Sequence, residues 1–196
     1  DPAKTIPIDR LARSMHFREK GTVLIGRGFY DPPNQFQKPD MTGNVSATYA
    51  FATHACRVQV DPETGRVTIK KFVAAHDVGR VINRSGLDGQ IEGAIAQGLG
   101  YALSENVKLD GGRMLNTSFL DYKLLMARDM PEKLEIHYIE TDDPEGPYGA
   151  KGVSEAGIIP IPAAVANAVA DAIGVRIHDM PLTPERVLTA IRSRDD

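Results

Sequence analysis

The 196-residue sequence predicts an α+β fold, mixed strands and helices, on three observations. Two β-rich runs flank a turn at residues 61–65, and two Gly- or Ala-rich segments repeat apolar residues at helical spacing. Strands and helices also lack the regular strand and crossover alternation of a parallel α/β sheet. Hydrophobic residues at 42% and charged residues at 25% are ordinary for a chain long enough to bury most of its unfolded surface.

Residues 1–44 read as an N-terminal wrapping segment. Within it "PIDRLARSMHF", residues 7–17, has near-helical spacing, and "TVLIGRGFYDPPNQFQKPDMTGN", residues 22–44, reads as a short strand and then a Pro- and Asn-rich loop. Residues 45–196 read as one domain without internal repeat or linker. It opens with a hairpin, "SATYAFATHACRVQV" and "RVTIKKFVAAHDV" around Asp61-Pro62-Glu63-Thr64-Gly65. "NRSGLDGQIEGAIAQGLGYALSE", residues 83–105, places Ile91, Ala94, Ile95, Leu99 and Ala102 on one helical face. It also carries Gly89, Gly93, Gly98 and Gly100, and a glycine inside a helix costs about 1 kcal/mol relative to alanine. Close approach of the backbone to another helix, or to a bulky ligand, would offset that cost.

"NVKLDGGRML" is a second hairpin signal, and "LEIHYIE", residues 134–140, is an alternating strand. "IIPIPAAVANAVADAI", residues 158–173, is a buried helix that starts around Pro160 and Pro162 and stops at Gly174. "LTPERVLTAIRS" closes the chain as a helix with Thr183 as N-cap, Pro184 at the first position and Glu185 at the positive end of the dipole.

A net charge of −3 with scattered Lys and Arg argues against a nucleic-acid partner, and no run approaches the roughly 18 apolar residues of a membrane span. The partners expected are small molecules or proteins, and the location expected is cytoplasmic. Cys56 stands alone, which excludes an intrachain disulfide and a multi-cysteine metal site, and it reads as a buried thiol. The five histidines are far apart without ligand spacing, so no metal held by protein side chains is expected. "GPYGAKG" lacks the end of a P-loop, and Gly26-Arg27-Gly28 and Gly98-Leu99-Gly100 lack the third glycine of a dinucleotide fingerprint. His76-Asp77 reads as a strand end with a hydrogen-bonded Asp.

One stretch stays open on these grounds. In "YGAKGVSEAG", residues 148–157, Glu155 precedes the apolar helix, where a carboxylate is either a cap at the positive dipole end or a base tuned by partial desolvation.

"GAKGVSEAG" resembles the Gly-(Ser/Ala)-Lys-x-x-Gly-Glu motif of the molybdenum-binding subunit of the xanthine oxidase family, the molybdenum hydroxylases. "DVGRVINRSGLDGQIEGAIAQGLGYALSE" resembles that family's Asp-Val-Gly, Asn-Pro, Gly-Gln-x-x-Gly, Gln-Gly-Leu-Gly and downstream Glu series, in the same order and spacing over roughly residues 20–190. The resemblance implies the C-terminal part of a molybdopterin-binding domain, with Glu155 as the catalytic general base at molybdenum and Lys151 as its electrostatic neighbour. It implies that Gln90 lies against a molybdenum-pyranopterin or its cytosine dinucleotide form, and that Gly89, Gly93, Gly152, Val153 and Ser154 help to bind it. Gln97 and Gly98 fall on a further family motif, for which packing close to that site is implied. The reaction implied is oxidation of an aromatic heterocycle, purine or aldehyde with water as oxygen source. Implied partners are the remainder of the molybdenum-binding subunit, a 2Fe-2S subunit and a flavin (FAD) subunit. A reductive relative resembling 4-hydroxybenzoyl-CoA reductase, and a non-catalytic cofactor-holding module, are the alternatives. The sequence departs from the family at Ser154, where glycine is usual, at Arg84, where proline is common, and at Ala156 and Gly157.

Overall fold

Alternation of side chains along the hairpin decides the architecture. In strand β1, Phe51–Val60, the even-numbered residues are half-buried and the odd-numbered ones mostly exposed, so the strand covers a core with one face only. Strand β2, Val67–Asp77, pairs antiparallel with it in the register Ala52↔His76, His54↔Ala74 and Cys56↔Phe72. Directly paired residues share a face. Phe72, Ala74 and His76 therefore point to the core with His54 and Cys56, and all three are fully buried. Strand β5, Leu134–Ile139, adds to the other side of β2 in parallel, which gives the order β1-β2-β5. Strands β3, Leu109–Asp110, and β4, Arg113–Met114, form a separate small hairpin across Gly111-Gly112.

The computed structural model describes residues 5–18, 23 and 25–195, and the chain divides between Pro32 and Pro33 into two units. The first contains helix α1, Ile8–Arg18, where helical spacing is expected. Of the short strand expected at the start of residues 22–44, Thr22 and Leu24 lie outside the described residues, and Val23 and Ile25 belong to no strand.

In the second unit, helix α2, Arg84–Leu103, and helix α3, Ile161–Ile173, build the core against the inner sheet face. Ile91, Ile95 and Leu99 of α2 meet Ile161, Val165 and Val169 of α3 over Phe72, and each is at most 1% exposed. Burying such a side chain contributes roughly 1.5–3 kcal/mol, so this stripe dominates the fold's stability. The helices approach through glycines: a Cβ on Gly98 would lie 2.5 Å from Ile161, and one on Gly157 2.8 Å from Ala94. Helix α4, Pro184–Asp195, closes the chain, with Val187 fully buried and the Thr183 carbonyl accepting from its backbone N–H.

Contrary to the run-length reading, the 19 residues Glu155–Ile173 are long and apolar enough to cross a membrane by composition. Core helices share that composition, and here Ile161, Val165, Val169 and Ile173 bury a row of side chains in the core over the sheet.

Candidate functional site

The end of β2 and the loop before α3 are laced together by backbone hydrogen bonds. Arg80 N–H donates to the Gly149 carbonyl at 2.7 Å, and Lys151 N–H to the Val78 carbonyl at 2.9 Å. Gly79 makes this possible: its φ of +61° suits glycine, and a Cβ there would sit 2.3 Å from the Gly149 oxygen. Tyr148, at φ +57°, takes a left-handed conformation that costs a non-glycine residue about 1 kcal/mol or more. The Gly149 carbonyl, which also accepts from Asp143 N–H at 3.2 Å, holds that turn in place.

Four residues beyond Lys151 comes a 3-10 turn, Glu155–Gly157. The Glu155 carbonyl accepts from Ile158 N–H at 3.0 Å and Ile159 N–H at 3.2 Å, and Gly157 is buried against Ala94 and Ile91. The backbone of Glu155 is thus fixed while its side chain is exposed. Its carboxylate makes no hydrogen bond or ion pair among the described residues, and in particular none that caps the helix. Ser154, at the position where glycine is usual in the family, has φ −139° and ψ −94°.

Glu155 and Ser154 line one cavity of about 280 Å³ with Gln90, Gly93, Ala94, Gln97 and Ile158. The amides of Gln90 and Gln97, like the carboxylate, have no side-chain hydrogen bond among the described residues. A Cβ on Gly89 or Gly93 would meet nothing within 4 Å, in contrast with Gly98. Of the α2 glycines, Gly98 admits a helix and Gly100 the Glu105 side chain, whereas Gly89 and Gly93 face open space. A neighbouring cavity of about 230 Å³ shares Gln90 and is lined by Val153 and Lys151 as well as Asn83 and Gly86. Gly152 lines neither cavity.

The Lys151 ammonium is engaged elsewhere than at Glu155. It lies 2.7 Å from Asp77 Oδ2 and donates to the Tyr49 carbonyl at 3.1 Å, with the Phe51 ring 5.5 Å away. Asp77 pairs with Phe51 across the sheet, so both point to the face opposite His76 and the helices. Thr141 Oγ1 and Gly79 N–H donate to Asp77 Oδ1 at 2.6 and 3.1 Å. Burial alone would push the Asp77 carboxyl up, but the donors from Lys151, Thr141 and Gly79 outweigh it and hold the group below its usual range. The Lys151 ammonium is thus paired with Asp77, which ends the strand beside which Lys151 is pinned.

Arg84 stands at the first position of α2, where proline's missing N–H would cost nothing and an arginine fits equally. Asn83 caps the helix through its side chain, accepting from Gly86 N–H at 3.0 Å. The Arg84 guanidinium lies 4.4 Å from the centre of the Tyr138 ring and pairs with Asp88, which accepts from the Tyr138 hydroxyl at 2.7 Å.

Sequence reasoning missed a buried histidine pair. His54 Nε2 and His76 Nε2 are 2.8 Å apart, and His54 Nδ1 is buried without a partner. Burial, and for His54 the neighbouring imidazole, lowers both, His54 to about 4, so the bond joins two neutral rings. The signal was the hairpin register, which sets positions 54 and 76 diagonally on one face. Cys56 donates to the Ala164 carbonyl at 3.4 Å, and burial pushes its thiol up to about 11, as a structural thiol would be. Among the described residues, no three His, Cys, Asp or Glu side chains converge on a metal-sized site.

Comparison with known proteins places this geometry in context. Residues 2–131 match the molybdopterin cofactor-binding domain family. The chain is 41% identical over 167 residues to the nicotine 6-hydroxylase large subunit of Paenarthrobacter nicotinovorans, covering 83% of this chain and 20% of that one. It is 36% identical over 163 residues to the xanthine dehydrogenase molybdenum-binding subunit of Escherichia coli O157:H7, covering 78% and 22%. An alignment covering 83% of this chain takes in residues 148–157 wherever it starts. Among solved structures, quinoline 2-oxidoreductase from Pseudomonas putida 86 superposes with a TM-score of 0.73 at 31% identity, over 97% of this chain and 24% of that one. The chain spans about a fifth of the length of the curated relatives it matches.

Proposed function

We propose a function from one premise: this chain belongs to the molybdopterin cofactor-binding domain family of xanthine oxidase-type molybdenum-binding subunits. On that premise it supplies the proton acceptor and part of the cofactor wall of a molybdenum hydroxylase. The substrates are aromatic heterocycles, purines or aldehydes, with water as the oxygen source.

The cavity fits a pterin in its chemistry. Gln90 and Gln97 each offer an amide donor and acceptor without a partner among the described residues, which suits the alternating donors and acceptors of a pterin edge. Gly93 leaves open the space a side chain would fill. When bound, the molybdenum-pyranopterin supplies the two-electron redox chemistry and an activated water-derived nucleophile. Gln90 would bind the cofactor from α2, with Gly89, Gly93, Gly152, Val153 and Ser154 as its near backbone. Partner 2Fe-2S and FAD centres would carry the electrons away, and the dinucleotide form of the pterin is part of the same reading.

Glu155 would take the proton. A general base needs a free lone pair and a fixed position, and Glu155 has a backbone clamped by two hydrogen bonds with a carboxylate unpaired among the described residues. That observation carries the reading, because a carboxylate committed to a cap or an ion pair would be a poorer base. The test is Glu155→Gln in the complete enzyme, assayed on a panel of xanthine, nicotine, quinoline and benzaldehyde. Turnover should fall about 10²–10⁴-fold at full molybdenum content, the range for loss of a general base. Wild-type turnover by a molybdenum-replete variant would remove the assignment.

A further inference from the structure

We propose that Lys151 and Asp77 form a positioning pair that fixes the Glu155 turn from the opposite face of the sheet. This rests on the reading of Glu155 as the base. The pair is mostly buried, with side chains 9% and 13% exposed, and each partner is multiply bonded. Lys151 reaches Asp77 Oδ2 and the Tyr49 carbonyl, and Asp77 Oδ1 accepts from Thr141 and Gly79. One lysine therefore joins four chain segments: the run into β1, the end of β2, the strand exit after β5 and the loop itself.

Only Gly152, Val153 and Ser154 separate Lys151 from Glu155, and of these Val153 alone packs on the core. On the far side, Gly157 is seated against Ala94 of α2. Glu155 is thus held between a polar anchor and a packed one, with no side-chain bond of its own among the described residues. Releasing the polar anchor leaves that end of the turn held only by the backbone bond from Lys151 N–H to Val78 and by Val153. A displacement near 1 Å of a reacting group costs up to about 100-fold in rate, so an anchor on the other face of the sheet controls catalysis without touching substrate.

The alternative role for Lys151, direct charge stabilisation of the Glu155 carboxylate, makes an opposite prediction. Removing a nearby cation raises a carboxyl pKa, which would move the acid limb of kcat/KM to higher pH. Loss of an anchor lowers kcat and leaves the limb where it was.

The experiment compares Lys151→Met, Asp77→Asn, their double variant and Thr141→Val in the complete molybdenum enzyme. It reads amide hydrogen exchange at residues 152–157, together with kcat, KM and the pH profile on whichever substrate of the panel above is turned over. Each single change at the ion pair should speed exchange across residues 152–157 and cut kcat about 10- to 100-fold, with KM and the acid limb unmoved. Because the two side chains act as one unit, the double variant should be no worse than either single. Unchanged exchange and kcat in Lys151→Met, a shifted acid limb, or additive effects in the double variant would each overturn the pair. If the charge changes prevent folding, Thr141→Val decides, since it removes one donor and keeps both charges: faster exchange at residues 152–157 supports the anchor and unchanged exchange refutes it. Glu155→Gln run in parallel separates the two readings, because retained turnover there removes the base while the exchange result still judges the anchor.

Discussion

Asp77 and Glu155 lie on linked segments, and the molecule uses the two carboxylates in opposite ways. Asp77, on the outer face at the end of β2, has its oxygens filled by a lysine, a threonine and a backbone N–H. Glu155, on the cavity side, has a bonded backbone and no side-chain partner among the described residues. The α2 glycines repeat the contrast, since Gly98 is closed by Ile161 while Gly93 opens on the cavity. Groups with complete partners hold the fold, and groups left without them are available to a ligand.

The largest effect that would break this comparison is on Asp77. Asp77→Ala strands the buried Lys151 ammonium, and removing one partner of such a pair costs about 3–5 kcal/mol. Thermal or denaturant unfolding of the complete protein should show that loss, whereas Glu155→Gln should leave stability within about 0.5 kcal/mol, as for a surface change. Equal losses at the two sites would erase the distinction.

Next in size, Gly98→Ala forces a methyl into Ile161 and should cost about 1–3 kcal/mol, the usual range for overpacking. Acid should weaken the core end of the hairpin through the histidine pair. Both rings are lowered in the fold, so below about pH 6.5 the unfolded chain binds more protons and stability drains as pH falls toward about 4. His54→Phe should flatten that part of the pH–stability curve. Smallest is Gly93→Ala, where open space lets the helix gain about 0.5–1 kcal/mol, so the same substitution five residues apart should reverse sign.

The regular elements were legible because local patterns specify them: the Asp61–Gly65 turn, the α2 stripe and the Thr183-Pro184 start each follow from neighbours in sequence. The parallel pairing of β5 with β2 was not, since nothing local fixes which strand a solitary alternating run joins. The site was legible in its residue types and opaque in its contacts. Glu155, Gln90 and Gly93 share a cavity as a motif-based reading would need, but Lys151 found its partner 74 positions away, on a face that only the sheet's pleat defines. Gln97, marked only for packing, turned out to line the cavity because it lies two turns of α2 from Gln90. Arg84 and Ser154 depart from the family pattern, Arg84 at the first position of α2 behind the Asn83 cap and Ser154 on the wall of the cavity.

The account turns on the cavity between α2 and the Glu155 turn being where the pterin lies, and molybdenum content of the Gly93→Leu holoenzyme tests this most directly. Open space at position 93 should let the leucine fold in, as judged by unchanged unfolding, while its side chain fills the cavity. The expected result is a folded complex depleted of molybdenum. A folded Gly93→Leu complex with full molybdenum content would contradict it.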